Sequence, residues 1–275
     1  MDYLEFTLNL LPGADPGIVI AILSESGFES FVESDDMILG YISEDSFATE
    51  VIIPVLEEMV EKGLFFYRYE TIKSQNWNAL WESNYDPVSI DGKCMIRAPF
   101  HKPVAGMQYD IVIEPKMSFG TAHHETTFLM IQLLMEESIS GEKILDMGCG
   151  TGVLGILAFK MGAGEVVAID NDDWAYKNAL DNIKKNDAAK VTVIQGEAGD
   201  IPRLGFDLIM ANINRNVLLR DIPAYAKSLK DHGVLLMSGF YEMDLSLLRI
   251  AAEDAGLHYF TSRVKNSWVC AKFVK

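Results

Sequence analysis

Apolar and polar positions alternate over residues 3–10, YLEFTLNL, which predicts a β-strand. Pro16 then opens a stretch of helical spacing that runs to about Ser24 and stops at Gly27. FESFVE and MILGYI, separated by Ser34-Asp35-Asp36, read as a hairpin. Over residues 45–62 the apolar side chains Phe47, Val51, Ile52, Val55, Leu56 and Met59 fall on one helical face, and Gly63 ends the run. FFYRYETI follows as a strand. The order βαββαβ is that of a small ferredoxin-like sandwich with its boundary near residues 70–76.

Trp77, Trp81 and Tyr85, before Asp86-Pro87, mark a connecting segment, and short strands are expected at 88–97 and 109–115. From residue 143 strands and helices alternate. KILDMG, EVVAID, VTVIQG, FDLIMANI and GVLLMSGF are strand-like; VLGILAFKMG, DWAYKNALDNIKKN and the stretches at about 215–230 and 243–255 are helical. That alternation predicts a doubly wound, mostly parallel α/β sheet. LHYFTSRV and SWVCAKFV close the chain as a hairpin around Lys265-Asn266, which brings an antiparallel strand into that sheet.

The chain has 275 residues, with 40 acidic and 23 basic side chains and a formal charge of −17. Such acidity argues against direct binding to nucleic acid or to an anionic membrane surface. It is uneven: residues 1–70 hold 15 acidic side chains against Lys62 and Arg68, a net −13. A domain of that charge attracts a basic partner. Cys94, Cys149 and Cys270 form neither a CxxC pair nor a zinc spacing, so a reducing cytoplasm is the expected location. No signal peptide is expected from Met1-Asp2-Tyr3-Leu4-Glu5, and no apolar run reaches membrane-spanning length.

The chemistry centres on Asp146-Met147-Gly148-Cys149-Gly150-Thr151-Gly152, at the end of a strand. Gly148, Gly150 and Gly152 let the backbone turn sharply into a helix and approach a ligand closely. Gly150 to Gly155 also satisfies G-x-G-x-x-G, with Asp170 standing 20 positions after Gly150, as a dinucleotide fingerprint requires. Asp146 tips the choice the other way. A carboxylate at this loop disfavours a pyrophosphate but favours the ammonium and sulfonium of S-adenosylmethionine. Asp170 is then placed to accept from both ribose hydroxyls.

The D-x-G-x-G-x-G loop, the acidic end of the second strand and the terminal hairpin resemble the class I adenosylmethionine-dependent methyltransferases over about residues 115–275. Two further motifs, Phe119-Gly120-Thr121-Ala122-His123-His124-Glu125-Thr126-Thr127 and Ala211-Asn212-Ile213, resemble the ribosomal protein L11 methyltransferase family (PrmA). Ala122 stands where that family usually has glycine, and alanine resists positive φ. The resemblance implies a seven-stranded Rossmann-like methyltransferase sheet behind a small ferredoxin-like domain. It divides the chain into an acidic substrate-recognition domain (1–72), a connecting segment with the start of the catalytic domain (73–114) and the methyltransferase domain (115–275).

By the same resemblance Thr127, Gly148, Asp170 and Asn212 contact adenosylmethionine, together with Asp146, Gly150 and Gly152 of the loop. Phe119, Gly120, Thr121 and His124 order a segment over the cofactor, with Thr127 opening a helix there. Asn212 orients the substrate amine. The implied activity is N-methylation of lysine side chains and/or the N-terminal amine of a basic ribosomal protein, L11, with a small molecule or a different protein as the alternative substrate. No metal is expected, because His124-Glu125 lacks the closing histidine of H-E-x-x-H; Phe128 occupies that position.

Overall fold

The structure is a computed structural model that describes residues 2–34, 36–72, 85–115, 119–203 and 205–275. Trp77 and Trp81 lie outside the described residues. The chain divides into two compact units, Met1–Asn84 and Tyr85–Lys275.

The first unit runs β1 (Tyr3–Leu10), α1 (Pro16–Glu25), β2 (Ser30–Ser34), β3 (Met37–Ser43), α2 (Thr49–Glu61) and β4 (Phe65–Ile72). Its sheet has the order β2-β3-β1-β4, with every neighbouring pair antiparallel, which is the ferredoxin-like topology. Alternation along β1 puts Leu4, Phe6 and Leu8 on one face, paired with Ile42, Gly40 and Ile38. Val19 and Leu23 of α1 and Ile52, Leu56 and Met59 of α2 join the same buried cluster. Asp15 caps α1 by accepting from Gly17 N at 2.8 Å, and Pro16 sits in the first turn, where its missing N–H costs nothing. The helix expected over 45–62 begins with a separate 3-10 turn, Glu44–Ser46, and is α-helical from Thr49.

The second unit starts with a small sheet of β5 (Val88–Ile90), β6 (Cys94–Arg97) and β7 (Tyr109–Val112). The single strand expected over 88–97 is a hairpin: β5 and β6 are antiparallel. Asp91 and Gly92 take φ of 51° and 64° between them, the left-handed pair that an Asp-Gly turn supplies.

The main sheet follows. Its elements are α3 (Glu125–Leu134), β8 (Lys143–Met147), α4 (Val153–Lys160), β9 (Glu165–Asp170), α5 (Asp173–Lys185), β10 (Val191–Gln195), β11 (Phe206–Asn212), α6 (Arg215–Ser228), β12 (Leu229–Tyr241), α7 (Leu245–Asp254), β13 (His258–Lys265) and β14 (Trp268–Val274). The seven strands lie in the order β10-β9-β8-β11-β12-β14-β13. The first five are parallel, and β14 runs antiparallel to both β12 and β13. This is the class I adenosylmethionine-dependent methyltransferase architecture. Asn266 and Ser267, at φ 48° and 66°, make the closing turn, one residue later than Lys265-Asn266.

Both sheet faces are buried, so its strands read as continuous apolar runs. Ile144, Val166, Ala168 and Met210 share one cluster with α3 and α4; Leu145, Val167, Ile169 and Ile209 share the other with α6 and α7. From β8 the chain builds outward through β9 to β10, then returns to lay β11 on the other side of β8. The reversal opens a crevice beyond the carboxyl ends of β8 and β11, where open α/β sheets bind ligands.

Candidate functional site

A cavity of about 990 Å³ occupies that crevice. Of the residues singled out in the sequence, Phe119, His124, Gly148, Gly150, Asp170 and Asn212 line it. Thr127, Asp146, Gly152, Gly120 and Thr121 are not among its described lining residues.

Loop geometry explains the glycines. Gly148, Gly150 and Gly152 have φ of 69°, 55° and 79°. A Cβ on Gly148 would overlap Ile213 Cγ2, and one on Gly150 would overlap the carbonyl oxygen of Phe119. Gly148 N and Cys149 N both donate to Ile169 O, at 2.8 and 3.1 Å, which ties the loop to β9. Gly152 is the N-cap of α4 and packs on Ala179. Cys149 is buried, and burial pushes its thiol well above the usual range, which opposes thiolate formation.

Asp170 has both carboxylate oxygens fixed by backbone. Oδ2 accepts from Gly150 N at 2.8 Å and Oδ1 from Asp172 N at 3.0 Å. Each oxygen keeps acceptor capacity. Asp146 is different: it is 1% exposed, and its Oδ2 accepts from Gly155 N at 2.9 Å, joining β8 to α4. Burial raises its carboxyl to about 7; the Gly155 N–H opposes that shift and the Asp170 charge adds to it.

His124, not Thr127, opens α3. Its Nδ1 lies 3.3 Å from Thr126 N, which donates to it, and 2.9 Å from Thr126 Oγ1. The ring thereby takes an amide that the helix leaves unpaired. Thr127 sits inside the first turn, fully buried, and accepts from Asn212 Nδ2 at 3.1 Å. Asn212 Oδ1 is buried with no hydrogen-bond partner. Its neighbour Thr126 lines the cavity. The preceding segment is fastened by Thr151 Oγ1, which donates to Gly120 O at 2.6 Å, and by the Thr121–His123 contact at 3.1 Å. Ala122 adopts φ 65°, the glycine-like conformation that its position in the motif demands.

Sequence reasoning missed several wall residues. Trp268, first in β14, meets the His124 ring edge-on at 4.7 Å, and His124 meets Phe119 at 5.1 Å. Tyr241 lies against Trp268 at 4.0 Å. Gly239 (φ 98°) lines the cavity where a Cβ would overlap the Ile213 carbonyl. Trp174 and Glu197 line the β9–β10 end. The wall's charged groups include Asp170, Asp172, Glu197 and Asp221 against Arg220, which is paired to Asp221 at 2.7 Å. No lysine is on it. Among the described residues no group of three or more His, Cys, Asp or Glu is placed to hold a metal ion, and no helix is long and apolar enough to cross a membrane.

The family model described as Ribosomal protein L11 methyltransferase (PrmA) matches residues 21–275. The chain is 40% identical to the Ribosomal protein L11 methyltransferase of Phocaeicola vulgatus, over 100% of this chain and 99% of that one. With the protein of the same description from Porphyromonas gingivalis it shares 42%, over 93% and 89%. The crystal structure of ribosomal protein L11 methylase from Lactobacillus delbrueckii subsp. bulgaricus aligns with a TM-score of 0.64 at 26% identity, covering 69% of this chain and 98% of that chain. With its motif segments gathered around one cavity and likeness along its whole length, the chain belongs to the ribosomal protein L11 methyltransferase family.

Proposed function

We propose that this enzyme transfers methyl groups from S-adenosylmethionine to lysine side chains and the N-terminal amine of ribosomal protein L11, in the cytoplasm. Beside family membership, the observation that carries the reading is a pair of acceptors on the cavity wall, at the carboxyl ends of β9 and β11. Asp170 is a backbone-fixed carboxylate with capacity to spare, and Asn212 Oδ1 is a buried acceptor with nothing to accept from.

The lining fits adenosylmethionine. Asp170 would hold the ribose hydroxyls, and Gly148 and Gly150 keep the floor free of side chains. An acidic wall suits a ligand carrying a sulfonium and an ammonium, and it opposes a pyrophosphate. When bound, adenosylmethionine supplies an electrophilic methyl group on a cationic sulfur.

The rest falls to the chain. A lysine amine, with a reference pKa of about 10.4, arrives protonated and has no lone pair until it loses that proton. The aromatic and apolar surface of Phe119, Trp268 and Ile213 dehydrates the amine and lowers its pKa. Asn212 Oδ1 accepts one remaining N–H and so aims the lone pair; Thr127, accepting from Asn212 Nδ2, keeps that amide from rotating. The proton leaves to water before transfer, so no side-chain base is required. In the same reading the acidic first unit captures the basic ribosomal protein and presents its amines.

The test is incubation of the full chain with methyl-labelled adenosylmethionine and a panel of purified ribosomal proteins. Label on L11 alone, located by mass spectrometry on lysine and N-terminal nitrogens, is the expected result. Label elsewhere, or none on any protein, overturns the assignment.

A further inference from the structure

Ala122 sits at φ 65°, a left-handed backbone in which alanine is strained and glycine is not. Wall residues flank it on both sides: Phe119 comes three residues before and His124 two after. Such a conformation persists only where the surroundings over-determine it. On the amino side Thr151 does this, its N–H donating to Phe119 O and its hydroxyl to Gly120 O. On the carboxyl side stands His123, which is exposed and is not among the cavity-lining residues.

His123 closes a small ring of contacts. Its Nε2 lies 2.9 Å from Asp86 O, and its Nδ1 lies 3.1 Å from Thr121 Oγ1. A carbonyl only accepts, so Nε2 carries the proton of the neutral ring and Nδ1 accepts from the Thr121 hydroxyl. Thr121 also shares a hydrogen bond with the phenol of Tyr85, the residue before Asp86. The Tyr85 and His123 rings meet at 4.7 Å. Tyr85 and Asp86 open the second unit, and Tyr85 is in turn fixed to the small sheet. Its ring stacks on His101 at 6.2 Å; Arg97, which ends β6, donates to His101 O at 2.9 Å and pairs with Asp110 of β7 at 2.7 Å.

We propose that His123 is a positioning residue for methyl transfer: it clamps the motif segment to the entry of the second unit, keeping Ala122 left-handed and His124 seated between Phe119 and Trp268. Glycine would adopt that backbone unaided, whereas alanine needs the clamp. The role rests on the reading given above, in which the aromatic wall around His124 receives the amine. The clamp's partners are Thr121, Tyr85 and Asp86, not the glycine loop or β9, so its loss leaves the donor contacts in place.

The experiment uses the full chain. Methylation of L11 is followed with each substrate varied, and binding of S-adenosylhomocysteine is measured by calorimetry. The proteins are the wild type, His123→Ala, His123→Gln and the double variant Ala122→Gly with His123→Ala. Loss of the clamp should lower kcat about fivefold in His123→Ala. Affinity for adenosylhomocysteine and the KM for L11 should stay within about twofold. His123→Gln, whose amide can donate to Asp86 O, should recover most of the rate. The double variant should return to within about twofold of the wild type, because glycine holds the left-handed backbone without help. An unchanged kcat in His123→Ala overturns the clamp and leaves the activity standing. So does an adenosylhomocysteine affinity that falls with kcat, a raised KM for L11 alone, or a double variant no faster than His123→Ala. A wild-type chain that leaves L11 unlabelled overturns the proposed activity and this role with it.

Discussion

Asn186 grips Val112 with both ends of its side-chain amide: Oδ1 accepts from Val112 N at 2.9 Å, and Nδ2 donates to Val112 O at 2.7 Å. The pairing copies what a neighbouring strand would do. Val112 belongs to β7, whose other edge is taken by β6. Asn182, one turn earlier on α5, repeats the device, its Oδ1 accepting from Glu114 N at 2.9 Å while its Nδ2 donates to Thr151 O at 2.9 Å. Two asparagines thus cover a strand edge and tie it to the helix behind the glycine loop.

Asn186→Ala should therefore destabilise the protein by about 1–3 kcal/mol, because two partly buried backbone groups of Val112 lose their partner. Urea unfolding measures it. A change below about 0.5 kcal/mol would mean that the edge is hydrated and the asparagine dispensable.

Asp146 makes stability depend on pH. Its folded carboxyl titrates near 7, whereas an unfolded aspartate titrates near 3.9. The folded state holds the proton more tightly, so the group's contribution is complete below about pH 4 and is lost as pH rises through 7. At about 1.4 kcal/mol per pH unit the loss is about 4 kcal/mol by pH 8. Asp146→Asn keeps an acceptor for Gly155 N and removes the titration. Unfolding of both proteins at pH 5 and pH 8, without ligand, should show the wild type losing about 2.5 kcal/mol relative to the variant, the part of that loss that falls between the two pH values. Equal slopes would mean that the carboxyl stays ionised.

Asp170→Ala removes the acceptor assigned to the ribose and frees Gly150 N and Asp172 N. Affinity for adenosylhomocysteine should fall by about 1–3 kcal/mol in calorimetry. Undiminished binding removes Asp170 from the donor site.

These residues differ in how far the sequence announces them. Loop, acid and alternating elements are legible because each acts locally: three glycines at alternate positions, a carboxylate at a strand end, a change from period two to period 3.6. Asn212 is legible only through its motif, since its tie to Thr127 spans 85 residues. Gly239, Trp174 and Trp268 carry no local signal. Gly239 is required by the carbonyl of Ile213, and Trp268 reaches His124 through the pairing of β14 with β12. Asp146 shows the converse: the residue is conspicuous in sequence, yet burial gives it a framework role that spacing does not reveal.

A fragment comprising residues 85–275 contains every cavity-lining residue among those described. It should bind adenosylhomocysteine within about threefold of the full chain and lose most methyl transfer to L11, because the proposed function assigns capture to the acidic first unit. For the full chain, added salt should raise the KM for L11 and leave kcat nearly unchanged, since exposed charges are screened beyond about 8–10 Å. A fragment as efficient as the whole would reduce the acidity of residues 1–70 to a solvated surface.

The closing hairpin also sets a schedule for the enzyme's own birth. Asn266 donates to Glu125 Oε1 at 2.8 Å across 141 residues, and Trp268 beside it completes the wall around His124. Synthesis delivers the glycine loop and Asp170 long before that wall exists. While β14 is still within the ribosome, β12 has an open edge and the nascent cavity an open side. A nascent chain can therefore present a donor-binding floor, but the aromatic wall forms only after β14 has emerged and paired with β12.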